Sequence, residues 1–316
     1  MRHPAVDSSR PTPKSSALRE SDVSAFRVAE PFERNLNALR DEQMNGRPLR
    51  VLDWGCGRGE MVLRLIEAGH DAYGLDVVET YLRNGRPVFD RRSLDGEDRL
   101  RHWETSKPAP FPDGWFDAVV SDVVFEHVRD LDGTLREMRR VLRPGGIAVH
   151  QFPSRRRPIE PHVGLPFVHW IPAGRGRRVA IRAMCELGLG SDWARTRGKR
   201  ASERAAVFDE YLRERTFYRS RRQLEAAATS AGFEARFWGW GSTSRVLRPM
   251  RYVPGLRQLR QRYQLSFLMT WMHLRVPSTE PQRPETAEVV VPAGAIGRVR
   301  HRSRPHASVE ADAPRR

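Results

Sequence analysis

The 316-residue sequence predicts an α/β fold: a seven-stranded, mostly parallel sheet with helices on both faces and a helical insertion after the fifth strand. Two observations carry this expectation. Short apolar runs alternate with helix-period patterns through the middle of the chain, as repeated strand–helix units require. A glycine-rich turn, Asp53-Trp54-Gly55-Cys56-Gly57-Arg58-Gly59, joins the first apolar run directly to the first helical pattern.

The elements follow in order. Arg50 to Trp54 reads as the first strand. Glu60 to Ala68 reads as a helix, with Met61, Leu63, Leu65 and Ile66 supplying apolar contacts and Gly69 ending it. Ala72 to Leu75 is the second strand, and Leu100 to Trp103 the third. Phe116 to Ser121, an apolar run after the turn Pro112-Asp113-Gly114, is the fourth. Leu131 to Leu142 is a helix closed by Pro144-Gly145-Gly146, and Ile147 to Phe152 is the fifth strand. Ser220 is a good N-cap for a helix over Arg221 to Ser230, and Gly232 a good stop. Phe233 to Trp238 and Phe267 to Val276 supply the last two strands.

Between the fifth strand and the Ser220 helix lie residues 153–219, far longer than the usual loop of about 2–6 residues in such folds. This insertion should therefore have structure and a task, with helices near Val179 to Leu187 and Ser202 to Arg215. Residues 1–24 are polar and hold Pro11 and Pro13, which reads as a disordered arm. Residues 278–316 read as a largely disordered basic tail, broken by Val289-Val290-Val291, an apolar burst suited to an edge strand. The folded domain is expected over 25–277, with its core over 48–152.

Lys and Arg exceed Asp and Glu by 55 to 39, a formal net charge of +16. Such an excess favours phosphates, anionic glycolipids or acidic membrane surfaces, and an arginine-rich proteome produces it with no partner at all. Cys56 and Cys185 are the two cysteines, and neither lies in a CxxC pair. Cytoplasmic placement follows, with peripheral contact at the inner membrane surface. The N-terminus lacks the apolar run of a signal peptide, and no window reaches the roughly 18–20 apolar residues of a membrane span. Leu256 to Leu268 mixes arginines with leucines, a pattern shared by helices lying on a membrane and helices packed on a sheet. Acids and histidines show no ligand spacing along the chain, so no metal is expected.

The glycine turn alone is ambiguous between ligands. Its GxGxG spacing is not the GxGxxG of a dinucleotide site, and Asp53 at the strand end would repel a pyrophosphate. The same carboxylate suits a ligand with an ammonium group near a sulfonium, as in S-adenosylmethionine. Asp76, ending the second strand, is placed to accept hydrogen bonds from both ribose hydroxyls.

Four motifs in order then resemble the class I S-adenosylmethionine-dependent methyltransferases: the turn over 53–59, Phe111-Pro112-Asp113-Gly114-Trp115-Phe116-Asp117, Ser121-Asp122-Val123-Val124-Phe125-Glu126-His127-Val128, and Leu142-Arg143-Pro144-Gly145-Gly146. The likeness covers about residues 48–152 and is strongest to the subgroup with ubiquinone and menaquinone biosynthesis enzymes and glycan or natural-product tailoring enzymes. It implies a Rossmann-like sheet and S-adenosyl-L-methionine as cofactor. Asp53 would hold the methionine amino group, Gly55, Cys56 and Gly57 would line methionine and ribose, and Gly59 would complete the turn. Asp76 would bind the ribose, with Val77 against the adenine. Glu104 or Thr105 stands where the family contacts the adenine amino group, and Asp122 and Val123 would flank the methionine. Trp54 departs from the smaller residues usual at its position and reads as packing.

On the acceptor side, a hydroxyl acceptor needs a general base, and histidine is the common choice near neutral pH. His127 follows the fourth strand; it reads either as a polar wall or base of the active site, or as a helix-start residue held by hydrogen bonds. His162 is the favoured base or substrate-orienting group, with Glu160 beside it, in a stretch from Phe152 to Pro172 that holds five prolines. His169 is expected to pack with Trp170 and Phe167. That stretch resembles methyltransferases of cell-surface polysaccharide and glycolipid assembly. Arg155, Arg156 and Arg157, with Arg175, Arg177, Arg178, Arg195, Arg197, Lys199 and Arg200, could form a positive rim for an anionic, lipid-linked or nucleotide-linked acceptor. Two competing readings stand beside methyl transfer to an oxygen of a small molecule, glycan or glycolipid precursor. One is an RNA or DNA methyltransferase using the basic insertion; Ser121-Asp122-Val123-Val124 in place of an Asn/Asp-Pro-Pro-Tyr/Phe pattern, and the lack of an RNA-binding motif, speak against it. The other is a non-catalytic binding module, which the intact Asp53, glycines and Asp76 oppose.

Overall fold

In a computed structural model the protein is described over residues 16–238 and 269–278. The strands are β1 (Arg50–Trp54), β2 (Asp71–Asp76), β3 (Leu100–His102), β4 (Phe116–Asp122), β5 (Leu142–Pro153), β6 (Ile159–Glu160), β7 (Leu165–Pro166), β8 (Glu234–Trp238) and β9 (Met269–Arg275). Seven of them form one sheet of order β3-β2-β1-β4-β5-β9-β8, and β6 and β7 pair as a separate two-stranded ribbon. The strands β1 to β5 run parallel, while β9 is antiparallel to both β5 and β8. The chain builds outward from β1 toward β3, then returns to the other side of β1 for β4. That reversal opens a crevice at the C-terminal ends of β1 and β4, the usual place for a ligand in such sheets.

Both faces of the sheet are buried, which is why its strands read as apolar runs. The helices are α1 (Glu20–Ala25), α2 (Glu30–Gln43), α3 (Glu60–Glu67), α4 (Glu79–Arg91), α5 (Gly96–Arg99), α6 (Leu131–Val141), α7 (Arg175–Glu186), α8 (Ala201–Glu214) and α9 (Arg221–Ser230). Alternate strand residues serve alternate faces. Val51, Ala118, Val120 and Val149 pack with Phe32 and Leu36 of α2 and Met61, Val62 and Leu65 of α3. Leu52, Val119 and Ala148 pack on the opposite face with Leu135 and Met138 of α6 and Leu224 and Ala228 of α9. Ser220 caps α9 as expected, its hydroxyl accepting from Gln223 N at 3.3 Å.

Three expectations are corrected. The boundary drawn at residue 24 falls inside α1; Leu18 and Val23 are buried in the core, and Arg58 reaches Asp22 at 3.6 Å, so residues 16–24 are folded. Pro144-Gly145-Gly146 does not lie outside the fifth strand. β5 starts at Leu142, and an irregularity in its pairing with β4 absorbs these residues, between the pairs Phe116–Leu142 and Ala118–Ile147. Polar composition hid the first of these, and proline and glycine read as turn signals hid the second, because an edge of the strand can carry them where pairing is interrupted. In the insertion, α7 begins at Arg175, four residues before the expected start. Residues 1–15, the tail from 279, Val289-Val290-Val291 and the pattern over Leu256 to Leu268 lie outside the described residues. Among the described residues, no helix is long and apolar enough to cross a membrane.

The insertion has its own small core. Val163, Leu165, Val168, Ile181, Phe208 and Tyr211 pack together, and Arg177 Nε meets Asp209 at 2.7 Å between α7 and α8. Its contacts with the segment after β4 include Phe217 N to Glu126 O at 2.6 Å, Arg219 Nη2 to Val128 O at 2.6 Å, and His127 Nδ1 to Arg215 O at 2.6 Å.

Two outcomes are expected of this packing. A Cβ at Gly85 of α4 would sit 2.0 Å from Arg58 O in the glycine turn. Gly85→Ala should therefore lower stability by about 1–3 kcal/mol, read from the urea midpoint. His150 on β5 is fully buried, and burial, with His273 beside it, holds its pKa down at about 3. The unfolded chain takes up a proton on this residue below about pH 6.5 and the folded chain does not, so stability is full above 6.5 and falls as pH drops toward 3. The loss should approach about 1.4 kcal/mol per pH unit, and His150→Gln should remove that share of the slope in urea melts at pH 7, 6 and 5.

Candidate active site

The turn after β1 is held in place from β2. Asp76 Oδ2 accepts from Gly57 N at 2.8 Å, and Oδ1 accepts from Val78 N at 2.8 Å. Gly55 N and Cys56 N both donate to Leu75 O, at 2.7 and 3.0 Å. Gly55 has φ +82° and stands so close to Val124 that an added Cβ would lie 2.5 Å from its Cγ2. Glycine is needed there on both counts.

A cavity of about 620 Å³ opens beside this turn, within the range of roughly 300–1,000 Å³ typical of small-molecule sites. Trp54, Leu75, Val77, Tyr81, Trp103 and Val124 supply apolar walls, and Gly55, Asp76, Thr105, Ser106 and His127 supply polar ones. Trp54 and Trp103 meet edge to face at 5.0 Å. Burial, with the Asp76 charge nearby, pushes the Tyr81 phenol up to about 12, so it stays protonated as a donor near neutral pH. Val123 also lines the cavity, with φ +58°, a conformation costing a β-branched residue about 1–3 kcal/mol. Its N–H donates to Gln151 O at 2.7 Å, which ties the strained β4 exit to β5.

At one end of the cavity stands a cluster assembled from distant segments. Phe125 to His127 form a short 3-10 turn after β4. His127 Nε2 lies 3.8 Å from Glu126 Oε1, and His162 Nε2 lies 3.9 Å from the same oxygen. His162 Nδ1 meets Glu160 Oε1 at 2.5 Å, and Tyr218 donates its hydroxyl to that oxygen at 2.5 Å. Glu160 Oε2 accepts from His162 N and Val163 N at 2.8 and 2.7 Å. Burial would raise the Glu160 carboxyl, but the bonds from His162, Tyr218 and Val163 outweigh it and hold the group below its ordinary range. The His127 and His162 rings are 4.9 Å apart between centroids.

The residues expected from sequence thus divide. Gly55, Asp76, Val77, Val123 and His127 line the cavity. Asp53, Cys56, Gly57 and Gly59 form the turn or its base, and Asp53 and Cys56 are buried. Asp122 ends β4, next to Val123. Glu104 is exposed and paired with Lys107 at 2.6 Å, and its neighbours Thr105 and Ser106 line the cavity instead. His162 is buried behind His127 at 5% exposure. His169 donates from Nε2 to Arg155 O, 3.0 Å away, and packs against Trp170 and Tyr218. Arg177 leaves the expected basic rim, being buried against Asp209. Tyr81, Trp103, Glu126 and Tyr218 join the site without having been expected from sequence. Only Glu126 had a signal, its place next to His127. Glu126, His127 and His162 converge in space although they show no ligand spacing along the chain, because the fold joins residues 35 positions apart.

Residues 52–150 match the family described as a methyltransferase domain. Among curated proteins, the chain is similar to a demethylmenaquinone methyltransferase of Thermus thermophilus, 37% identical over 110 residues, covering 34% of this chain and 48% of that one. It is also similar to a ubiquinone biosynthesis O-methyltransferase of Mesorhizobium japonicum, 30% identical over 145 residues, covering 44% and 52%. The chain spans about half the length of these relatives. A solved S-adenosylmethionine-dependent methyltransferase from Mesorhizobium loti aligns with TM-score 0.46 and 19% identity, over 76% of this chain and 96% of that one. The sheet and its glycine turn define a Rossmann-like cofactor-binding domain. Residues 52–150 are thus a methyltransferase-domain segment, similar to menaquinone- and ubiquinone-type enzymes that depend on S-adenosylmethionine. The residues present fit S-adenosylmethionine: a carboxylate at Asp76, apolar walls for an adenine, and a glycine turn open to close approach.

Replacing Asp76 by Ala removes a charged acceptor and strands the N–H groups of Gly57 and Val78. Asp76→Ala should weaken cofactor binding about 10- to 100-fold in calorimetry, since hydrogen bonds to charged groups contribute about 1.5–3 kcal/mol.

Proposed function

We propose that this protein transfers a methyl group from S-adenosylmethionine to an oxygen of a small-molecule acceptor, a glycan or glycolipid precursor. The observation that carries the reading is that one cavity joins Asp76 at the cofactor end to His127 at the other. Bound there, the cofactor supplies an electrophilic methyl group on sulfur. The protein's share is then alignment and exclusion of water, which can lower the barrier by several kcal/mol. Asp76 grips the ribose, Trp54, Trp103 and Tyr81 enclose the adenosine end, and Val123 fixes the backbone beside the methionine end. The cluster of Glu126, His127 and His162 is the acceptor-activating site, with His127 as the member that reaches the cavity. A hydroxyl acceptor gives up its proton on this side.

Oxygen as the acceptor atom is supported by the ubiquinone biosynthesis O-methyltransferase among the relatives. An anionic acceptor is supported by exposed arginines of the insertion, including Arg155, Arg156, Arg175 and Arg195. Their field is weaker than the sequence implied, because Arg197 pairs with Asp192 at 2.9 Å and Arg178 reaches Asp209 at 3.6 Å.

Incubation with methyl-tritiated cofactor and fractionated cell extract tests the proposal. Label should enter the sugar or glycolipid fraction, and Asp76→Ala should abolish the incorporation at cofactor concentrations near the wild-type Kd. Label confined to the nucleic-acid fraction, or no label in any fraction from a protein that binds the cofactor, overturns it.

A further inference from the structure

The cluster beside the cavity has a chemistry that proton transfer alone does not explain. Arg215 O can only accept, so His127 must donate from Nδ1, and in the neutral ring its lone pair is on Nε2. Glu160 accepts from His162 Nδ1, which places that ring's lone pair on Nε2 as well. Both lone pairs then converge with the Glu126 carboxylate, three acceptors within 4.8 Å of one another. His162 is 95% buried, from its 5% exposure, and among the described residues its Nε2 has no hydrogen-bond partner. An acceptor in that setting costs about 1–3 kcal/mol unless something positive meets it. The outer partners are those that orient metal-bound imidazoles: a carboxylate on one ring and a backbone carbonyl on the other.

We propose that Glu126, His127 and His162 bind a divalent metal ion of the zinc class, which ties the β4 exit to the insertion at the edge of the cavity. Two imidazoles and one carboxylate are a known zinc set that leaves a coordination position open. Metal–ligand distances are about 2.0–2.2 Å, so the three side chains close on the ion by moving a few tenths of an ångström. The open position lies on the side that His127 lines, where the ion would supply Lewis acidity to an oxygen acceptor. This deepens the function proposed above and rests on it only for the role of the ion, since metal binding is measured without any acceptor.

The test uses untagged full-length protein, stripped with chelator and dialysed. Titration with Co²⁺ should give visible ligand-field bands that saturate at one equivalent, and Zn²⁺ should displace them. His162→Gln, Glu126→Gln and His127→Gln should each weaken Co²⁺ binding at least about 10-fold, the smallest loss typical even of outer-sphere partners. His169→Gln, outside the cluster, should leave it unchanged. Calorimetric cofactor binding reports that each variant is folded, and His127, partly exposed at the cavity wall, is the variant least exposed to misfolding. Asp76→Ala should lose cofactor and keep Co²⁺, so the two proposals fail separately. Absence of a saturable one-equivalent signal in the stripped protein overturns the metal site, as does binding that persists unchanged in the three cluster variants.

Discussion

The structure depends on one carboxylate receiving two backbone N–H groups. Asp76 at the end of β2 bonds Gly57 N on one side and Val78 N on the other. It therefore locks the β1–α3 turn and the β2–α4 turn to each other across the sheet. The glycines make the turn sterically accessible, but the carboxylate selects its position. The remaining contacts converge on the same turn. Gly85 of α4 lies against Arg58 O, Arg58 is buried against Glu60 at 2.7 Å, and α1 adds Asp22 to that pair. A burial this complete keeps Arg58 from the solvent role that its charge suggests, and it explains why the N-terminal segment folds although its composition is polar.

The second organising fact is that the insertion belongs to the site. It is not an appended cap held by its own core alone. Its return segment donates Phe217 N to Glu126 O and accepts His127 Nδ1 on Arg215 O, so it sets both the backbone and the ring of the β4 exit. Its proline-rich entry brings Glu160 and His162 to the same place, and Tyr218 closes the group from behind. Burial and the Glu160 charge raise the Tyr218 and Tyr211 phenols, so both remain protonated. The consequence is a polar assembly in which donors surround Glu160 and acceptors face Glu126. The asymmetry gives the cavity end a definite electrostatic sense that a lone histidine would not have.

Net charge misleads in this protein. An excess of 16 positive charges suggested a broad basic surface, yet many arginines are fixed by carboxylates or carbonyls. Arg140 bonds Phe111 O, Ala109 O and Glu137, and Arg219 bonds Val128 O and Arg129 O. Guanidinium groups suit this work because their forked donors satisfy several carbonyls at once. They stitch loops at the sheet's end as much as they set a surface potential.

The sheet was legible in the sequence because parallel strands buried on both faces must be apolar runs, and each of β1, β2 and β4 follows that pattern. The cofactor end was legible for a similar reason. Gly55, Gly57 and Asp76 act through backbone geometry that neighbouring residues dictate, so their order along the chain carries their role. The acceptor end was not legible to the same degree. His162 and Glu160 were visible as candidates, but their place behind His127, the joining of Glu126 to them, and Tyr218 at the back arise from a fold-over of the residues 123–220 between β4 and α9. Arg177, one arginine in a run, became a buried partner of Asp209 for the same reason. The sequence alone thus determined the sheet, its glycine turn and the carboxylate that holds it, because those depend on local periodicity and local backbone freedom. Tertiary structure decided the acceptor-side cluster, because lone pairs and charges from distant segments acquire a common function only when packing brings them within a few ångströms.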